Sequence, residues 1–366
     1  MLILIIVALM LFGVKAAPRG SFFPDSFYVG QTKALKGIFA LVVIFHHLYG
    51  ADISPLLGTA FFEELGFLAV GGFFLISGYG LTYGVSNKKN YLRGFFFTRI
   101  LSIVIPYYVI DSVYVVIRYL SEGNTDAFRT YLKESILGLE MWFVPVMVLL
   151  YVLFRLSFIG HEKRKNKLIS PFILTFLTLA YVVLFTYTQH TAVNLLYGCA
   201  WNDTVLCFVL GMWYCILKER ISPILQDLYY VVTPVTALTF AMSFVAVMLL
   251  PAYTWPTSPT RLVLRSVAAV AFGALVLLIS MKVRFGNRVV NLCGDLSFEL
   301  YLSHAIFIKM FRYGSVWIFS HYITLDIKND LLYIAAVLVS SLAASWVVHK
   351  ICGFILKPIQ KAVKKQ

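Results

Sequence analysis

Apolar runs of roughly 20 residues recur along the chain, divided by short polar or Pro/Gly-rich segments. A helix of about that length crosses a hydrocarbon core about 30 Å thick. The pattern predicts ten spans, near residues 37–52, 61–84, 95–117, 139–158, 168–187, 201–217, 228–250, 262–281, 289–311 and 331–350. The dividers include "SEGNTDAFRT", "HEKRKNK" and "PAYTWPTSPT". No long linker or low-complexity stretch interrupts them. The expected fold is therefore an all-α integral membrane protein of about ten transmembrane helices plus a short N-terminal apolar helix. It divides into that helix and a loop (1–32), a multi-span domain (33–350) and a basic tail (351–366).

Composition agrees. Of the 366 residues, 60% are hydrophobic and only 13% charged. Soluble domains are nearer 45–50% apolar. The formal charge of +14 might point to nucleic acid, but its distribution argues otherwise. Taken in alternate connections, 23 of the 31 Lys and Arg residues fall in one set and 8 in the other. The positive-inside rule places the richer set in the cytoplasm, and the C-terminus with it. The charge is then topology, with the lipid bilayer as partner and no nucleic acid. The opening "MLILIIVALMLFGVKAAP" has the core of a signal peptide but no basic residue before it. It reads as an uncleaved helix whose end, near Lys15, is inside.

The five cysteines, Cys199, Cys207, Cys215, Cys293 and Cys352, form no CxxC or Cys/His spacing. They read as small apolar residues, with neither disulfide nor metal site expected.

Chemistry enters with "KALKGIFALVVIFHHLYG", residues 33–50. An ionisable group inside lipid is costly and marks a functional site by default. Lys36 and His47 are eleven residues apart, which brings them to within about 20° on one helix face and ~16 Å apart along the axis. His46 points about 80° away. This spacing predicts Lys36 at the cytoplasmic mouth and His47 near mid-membrane. A neutral imidazole there can act as a general base near pH 7.

"KGIFALVVIFHHLYG" resembles the first motif of the acyltransferase-3 family, membrane enzymes that acylate surface glycans. That motif, Arg or Lys, ten residues and then His, falls on Lys36 and His47. "AVGGFFLISGYGL" (69–81) is similar to the family's second-helix signature, with Gly71 where an acidic residue is common. Its small residues Gly71, Gly72, Ser77 and Gly78 also suit close helix packing. "FFFTRILSIVIPYYVI" (95–110) resembles the basic start of its third helix, keeping Arg99 but with Ser102 at the second basic position. "LCGDLSFELYLSHAIF" (292–307) resembles its late S-x-x-x-Y-L-x-H element. Ser297, Tyr301 and His304 there share one helix face, roughly opposite Asp295 and Glu299. "EMWFVPVMVLLY" (140–151) and "FVLG" (208–211) are weaker echoes. Trp142 suits the membrane interface, and Glu140 reads as solvated.

The resemblance implies transfer of an acetyl or other short acyl group from cytoplasmic acyl-CoA to a hydroxyl of a cell-surface or exported glycan, such as an exopolysaccharide of the cell envelope. The chain would reside in the inner (plasma) membrane, with no bound cofactor and acyl-CoA as donor substrate. His47, with His46 beside it, is the candidate catalytic pair. Lys36, Arg99 and Arg93 are candidates for the acyl-CoA phosphates, with Lys88 and Lys89 nearby. Ser77, Trp142, Ser297, Tyr301 and His304 are candidates for the substrate pocket. No G-x-S-x-G elbow occurs, which argues against a serine acyl-enzyme. The alternative is a proton-coupled multi-span transporter, which mid-membrane histidines would also suit. The chain closes on "KPIQKAVKKQ", so no appended soluble domain is expected.

Overall fold

The computed structural model describes residues 7–8, 10–49, 62–122, 132, 135–136, 138, 141–191, 201–250, 258–312, 315–318 and 321–365. Glu140, Cys199 and most of the loops "SEGNTDAFRT" and "PAYTWPTSPT" lie outside these residues.

Eleven α-helices make up the described structure. They are α1 (Val29–Tyr49), α2 (Gly66–Asn87), α3 (Leu101–Glu122), α4 (Phe143–Ser157), α5 (Ile169–Thr191), α6 (Leu206–Asp227), α7 (Tyr229–Leu249), α8 (Pro259–Lys282), α9 (Arg288–Asp295), α10 (Ser297–Arg312) and α11 (Asp330–Lys365). A π-helical turn, Phe96–Ile100, leads into α3. Four short strands form two antiparallel ribbons. β1 (Lys15–Ala16) pairs with β2 (Val283–Arg284), and β3 (Ser315–Ile318) with β4 (His321–Thr324).

Eight segments among the described residues are helical, long and apolar enough to cross a membrane. They begin at Val29, Gly66, Phe96, Phe143, Ile169, Tyr229, Pro259 and Asp330. The protein is a multi-pass membrane protein. The other two expected spans are present in altered form. The span expected at 201–217 is α6, whose second half carries Lys218, Glu219, Arg220 and Pro223. The span expected at 289–311 is two helices, α9 and α10, parted at Leu296. On α7 the large side chains, among them Tyr230, Val235, Leu238, Met242 and Leu249, point outward. An apolar face that size suits lipid rather than water.

Small residues set the centre of the bundle. A Cβ on Gly78 of α2 would lie 2.0 Å from the Phe208 carbonyl oxygen of α6. A Cβ on Gly211 of α6 would lie 2.0 Å from the Leu75 oxygen of α2. Backbones this close exclude any other residue.

One end of the bundle gathers the basic residues. Lys33 of α1 pairs with Asp295 at 2.6 Å. The β1–β2 ribbon holds Lys15 beside Lys282 and Arg284, and Phe12 caps a helical stretch through its bond to the Ala8 carbonyl. The N-terminal segment thus ends at the basic end, and its Val7, Met10 and Leu11 face Leu35 and Phe39 of α1 and Phe272 of α8. Residues 351–365, the expected tail, continue α11 as helix.

Candidate active site

α1 begins at Val29, eight residues before the expected start of the span. This moves both of its candidates. Lys36 stands ~10 Å along the helix rather than at its mouth, and His47 ~27 Å along, in the last turn rather than near the middle. That is a correction to the sequence reading. Its physical cause is that "VGQTKAL" is a competent helical turn even though it is too polar to register as hydrophobic. Gln31 in it is wholly buried and bonds Ser280 and the Val283 carbonyl.

His47 opens onto a cavity of about 200 Å³ at the end of the bundle remote from the lysines. His46, Glu63, Glu64, Trp142, Arg265 and Tyr301 also line it. The His47 Nδ1 lies 2.9 Å from the Val43 carbonyl oxygen. A carbonyl only accepts, so Nδ1 carries the proton, and in the neutral ring Nε2 holds the free lone pair. That is the tautomer a general base requires. His46 packs flat against the start of α2, where a Cβ on Gly66 would lie 2.5 Å from its ring. Its Nδ1 is 3.3 Å from the Phe62 oxygen.

A charged network, which sequence reasoning missed, braces this cavity. Arg265 Nε donates to Asp203 Oδ2 at 2.6 Å, and Arg265 also reaches Glu64 at 3.3 Å. Arg261, one turn earlier on α8, reaches the other Glu64 oxygen at 3.4 Å. The Arg265 guanidinium lies 4.0 Å over the Phe67 ring. In the sequence, Arg261 and Arg265 belong to the set of eight basic residues and read as charges of a connection. The available signal was their i, i+4 spacing inside an apolar run, which demands carboxylates at the same depth.

The second half of the candidate set lies elsewhere. Arg93 and Arg99 line a cavity of about 560 Å³ at the basic end, with Lys88, Lys89, Asn90, Tyr91, Thr98, Gln360 and Val363. Arg99 is carried on the π-helical turn, a feature common at functional sites, and lies 5.2 Å over the Tyr91 ring. Burial pushes the Tyr91 phenol up, and the Arg99 charge opposes it. The end of α11 closes this cavity, with Val363 against Gly94. Lys36 is not among its lining residues and instead feels Asp295 and Glu299. α2 links the two cavities, from Gly66 to Asn87, a length of ~32 Å.

The remaining candidates are distributed between them. Ser77, midway along α2, bonds the half-buried Tyr151 of α4, which feels the Arg99 charge. Tyr301 reaches the His47 cavity and packs at a tilt against Phe143, ring centroids 4.9 Å apart. His304 stands behind His47, ring centroids 4.8 Å apart. Ser297 is buried at the start of α10, ~10 Å from His304 along the axis.

One comparison with known proteins is positive. The acyltransferase-3 family model, described as an acyltransferase domain, matches residues 32–350. No curated protein and no solved structure matches the chain. The family match takes in nearly all of α1 and runs through more than half of α11, covering the whole His47 cavity and the Lys88–Arg99 side of the other, so the chain belongs to the acyltransferase-3 family and is a membrane acyltransferase.

Proposed function

We propose that the protein moves an acetyl or other short acyl group from acyl-CoA, bound at the basic end, to a hydroxyl of a cell-surface or exported glycan at the His47 end. The observation that carries this reading is the pairing of two unlike cavities on one helix. One is lined by Lys88, Lys89, Arg93 and Arg99. The other holds an imidazole with its Nε2 lone pair available.

Cations at the first cavity suit the phosphates of CoA, since a guanidinium can fork onto phosphate oxygens. The 23-to-8 split of basic residues supports a cytoplasmic location for that end, and the inner membrane as the compartment. Ser77, Tyr151, Phe143 and Tyr301 mark an inward path for the acyl-carrying arm. At the far cavity, the Trp142 indole offers a face for a sugar ring. Glu63, Glu64 and Arg265 offer polar contacts for its hydroxyls.

The hydroxyl oxygen attacks the thioester carbonyl, its proton passing to His47 Nε2. The new C–O bond forms as the C–S bond breaks, and the proton returns to the departing CoA sulfur.

The test is mass spectrometry of the cell's glycans with and without the protein, paired with release of free CoA thiol by purified protein given acetyl-CoA and those glycans. Loss of an acyl mass together with CoA release supports acyl transfer. Uptake of glycan driven by a gradient alone, without CoA release, would establish the carrier instead.

A further inference from the structure

The family match ends at residue 350, but the cavity at the basic end does not. α11 continues as helix to Lys365, and its Gln360 and Val363 line that cavity. Three residues apart on a helix, the two share one face. Val363 is the anchor. A Cβ on Gly94 would lie 2.0 Å from Val363 Cγ1, and Gly94 holds a φ of +66°, which favours glycine. The Gly94 carbonyl accepts hydrogen bonds from the Thr98 N–H at 3.0 Å and the Thr98 hydroxyl at 3.1 Å. Arg99 follows directly, on the π-helical turn. One contact therefore seats the end of α11 on the turn that carries Arg99, with Gln360 at the cavity wall.

The lining is chemically divided. Lys88, Lys89, Arg93 and Arg99 donate hydrogen bonds and never accept them. None of the described lining residues is a carboxylate. Such a wall suits phosphates, yet about 560 Å³ is room for a whole drug-sized ligand rather than for phosphates alone. Gln360 brings what the cations lack, an acceptor C=O and a donor NH₂ in one plane. It is half-buried, and its amide forms no hydrogen bond with another described residue. Asn90 carries the same group but is exposed, in the turn after α2. Adenine presents the complementary pair, an N6 amino donor beside an N7 acceptor.

We propose that Gln360 reads the adenine of the donor nucleotide, which makes the end of α11 a specificity element outside the matched domain. The proposal rests on the acyl-CoA reading of this cavity. The cations take the phosphates, while the Gln360 carbonyl accepts from adenine N6 and its NH₂ donates to N7. No covalent bond changes in this step. Gln360 sets which thioester carriers are admitted, favouring those that bear an adenine nucleotide over bare pantetheine thioesters.

The experiment is binding calorimetry on the full chain in detergent, with CoA, adenosine 3′,5′-bisphosphate and inosine 3′,5′-bisphosphate as probes. Inosine keeps the phosphates and replaces the N6 amine by a carbonyl, which cannot donate to Gln360. The wild type should bind the adenosine form roughly five- to a hundredfold more tightly, the range of one bidentate base contact. Gln360→Ala should abolish that preference. Arg99→Ala should weaken both bisphosphates alike and keep it. Gln360→Met, of similar length and also a good helix former, repeats the test should the alanine variant fail to fold.

A preference that survives in the Gln360 variants would overturn the proposal, and so would its loss in Asn90→Ala alone. CoA bound by the wild type with no preference between the two bases would refute the role of Gln360 and leave the donor reading standing. No binding of CoA at all would refute the donor reading itself. An adenine preference that depends on Gln360, in a protein that transfers no acyl group, would establish the base contact and refute acyl transfer.

Discussion

Arg265 and Asp203 meet at 2.6 Å with side chains only 3% and 1% exposed, at the edge of the cavity that holds His47. A buried ion pair is weak evidence of stabilisation, but breaking one by removing a single partner typically costs about 3–5 kcal/mol. Asp203→Ala should therefore lower the thermal midpoint in detergent more than the double replacement Asp203→Leu with Arg265→Met. The single variant leaves the buried guanidinium with Glu64 but without its closer partner, and the double removes both members of the pair. Additive losses across Asp203→Leu, Arg265→Met and their double would show that the two groups do not act as a unit.

Gly78 and Gly211 are reciprocal, each placing its missing Cβ 2.0 Å from a carbonyl oxygen of the other's helix. A carbonyl cannot swing aside as a side chain can. Gly78→Ala and Gly211→Ala should each cost at least the ~1–3 kcal/mol typical of overpacking. Gly80, with nothing within 4 Å of its Cβ position, is the control. The check is the yield of monodisperse protein after extraction. An equal yield for Gly78→Ala and Gly80→Ala would mean the helices can separate without loss.

Orientation can be read directly by labelling single cysteines. Glu63 lies at the rim of the His47 cavity, and Arg164 in the loop after α4 at the other end. An impermeant thiol reagent added to intact cells should reach a cysteine at 63 and spare one at 164. The reverse pattern would invert the assignment of donor and acceptor sides.

The hydrophobic pattern made most of the helices legible, because nearly every span is apolar over its whole length. It failed where a helix is amphipathic or broken. α1 begins earlier than its apolar run because Gln31 is satisfied by Ser280 and the Val283 carbonyl, which no sequence window can see. α9 and α10 part at Leu296, next to Gly294, whose Cβ position lies 2.1 Å from the Lys33 oxygen. In the site, the helical spacing put Ser297, Tyr301 and His304 on one face of the helix, and the structure brings Tyr301 and His304 beside His47 while Ser297 lies farther along. The partners of Arg265 come from residues 64 and 203, too far apart in sequence for periodicity to join them.

Arg99→Ala should chiefly raise the apparent KM for acyl-CoA, because a phosphate contact is made equally in the ground and transition states. Loss of one charge-assisted hydrogen bond costs about 1.5–3 kcal/mol, or roughly ten- to a hundredfold. Arg99→Lys should recover part of the affinity, since the charge returns without the fork. Steady-state kinetics with varied acetyl-CoA gives the answer. An unchanged KM in both variants would reduce Arg99 to a partner of Tyr91.

His47 is the residue on which the chemistry stands, and Gln separates its possible roles. A glutamine can fill the volume and keep a hydrogen bond, but it takes up no proton at neutral pH. If His47 is the base, His47→Gln should lose ~10²–10⁴ in rate at saturating acyl-CoA, the usual loss for a general base. His46→Gln should lose less. His46 lines the same cavity, but its ring lies against Gly66 and its Nδ1 faces the Phe62 carbonyl, both structural contacts. Rates should be normalised to folded protein, and donor binding measured separately, since the cations of the donor cavity lie at the other end of α2. Unaltered acyl-CoA binding with abolished transfer is the expected outcome for His47→Gln. Full transfer in that variant would leave His47 as a packing residue and shift the search for the base to His46.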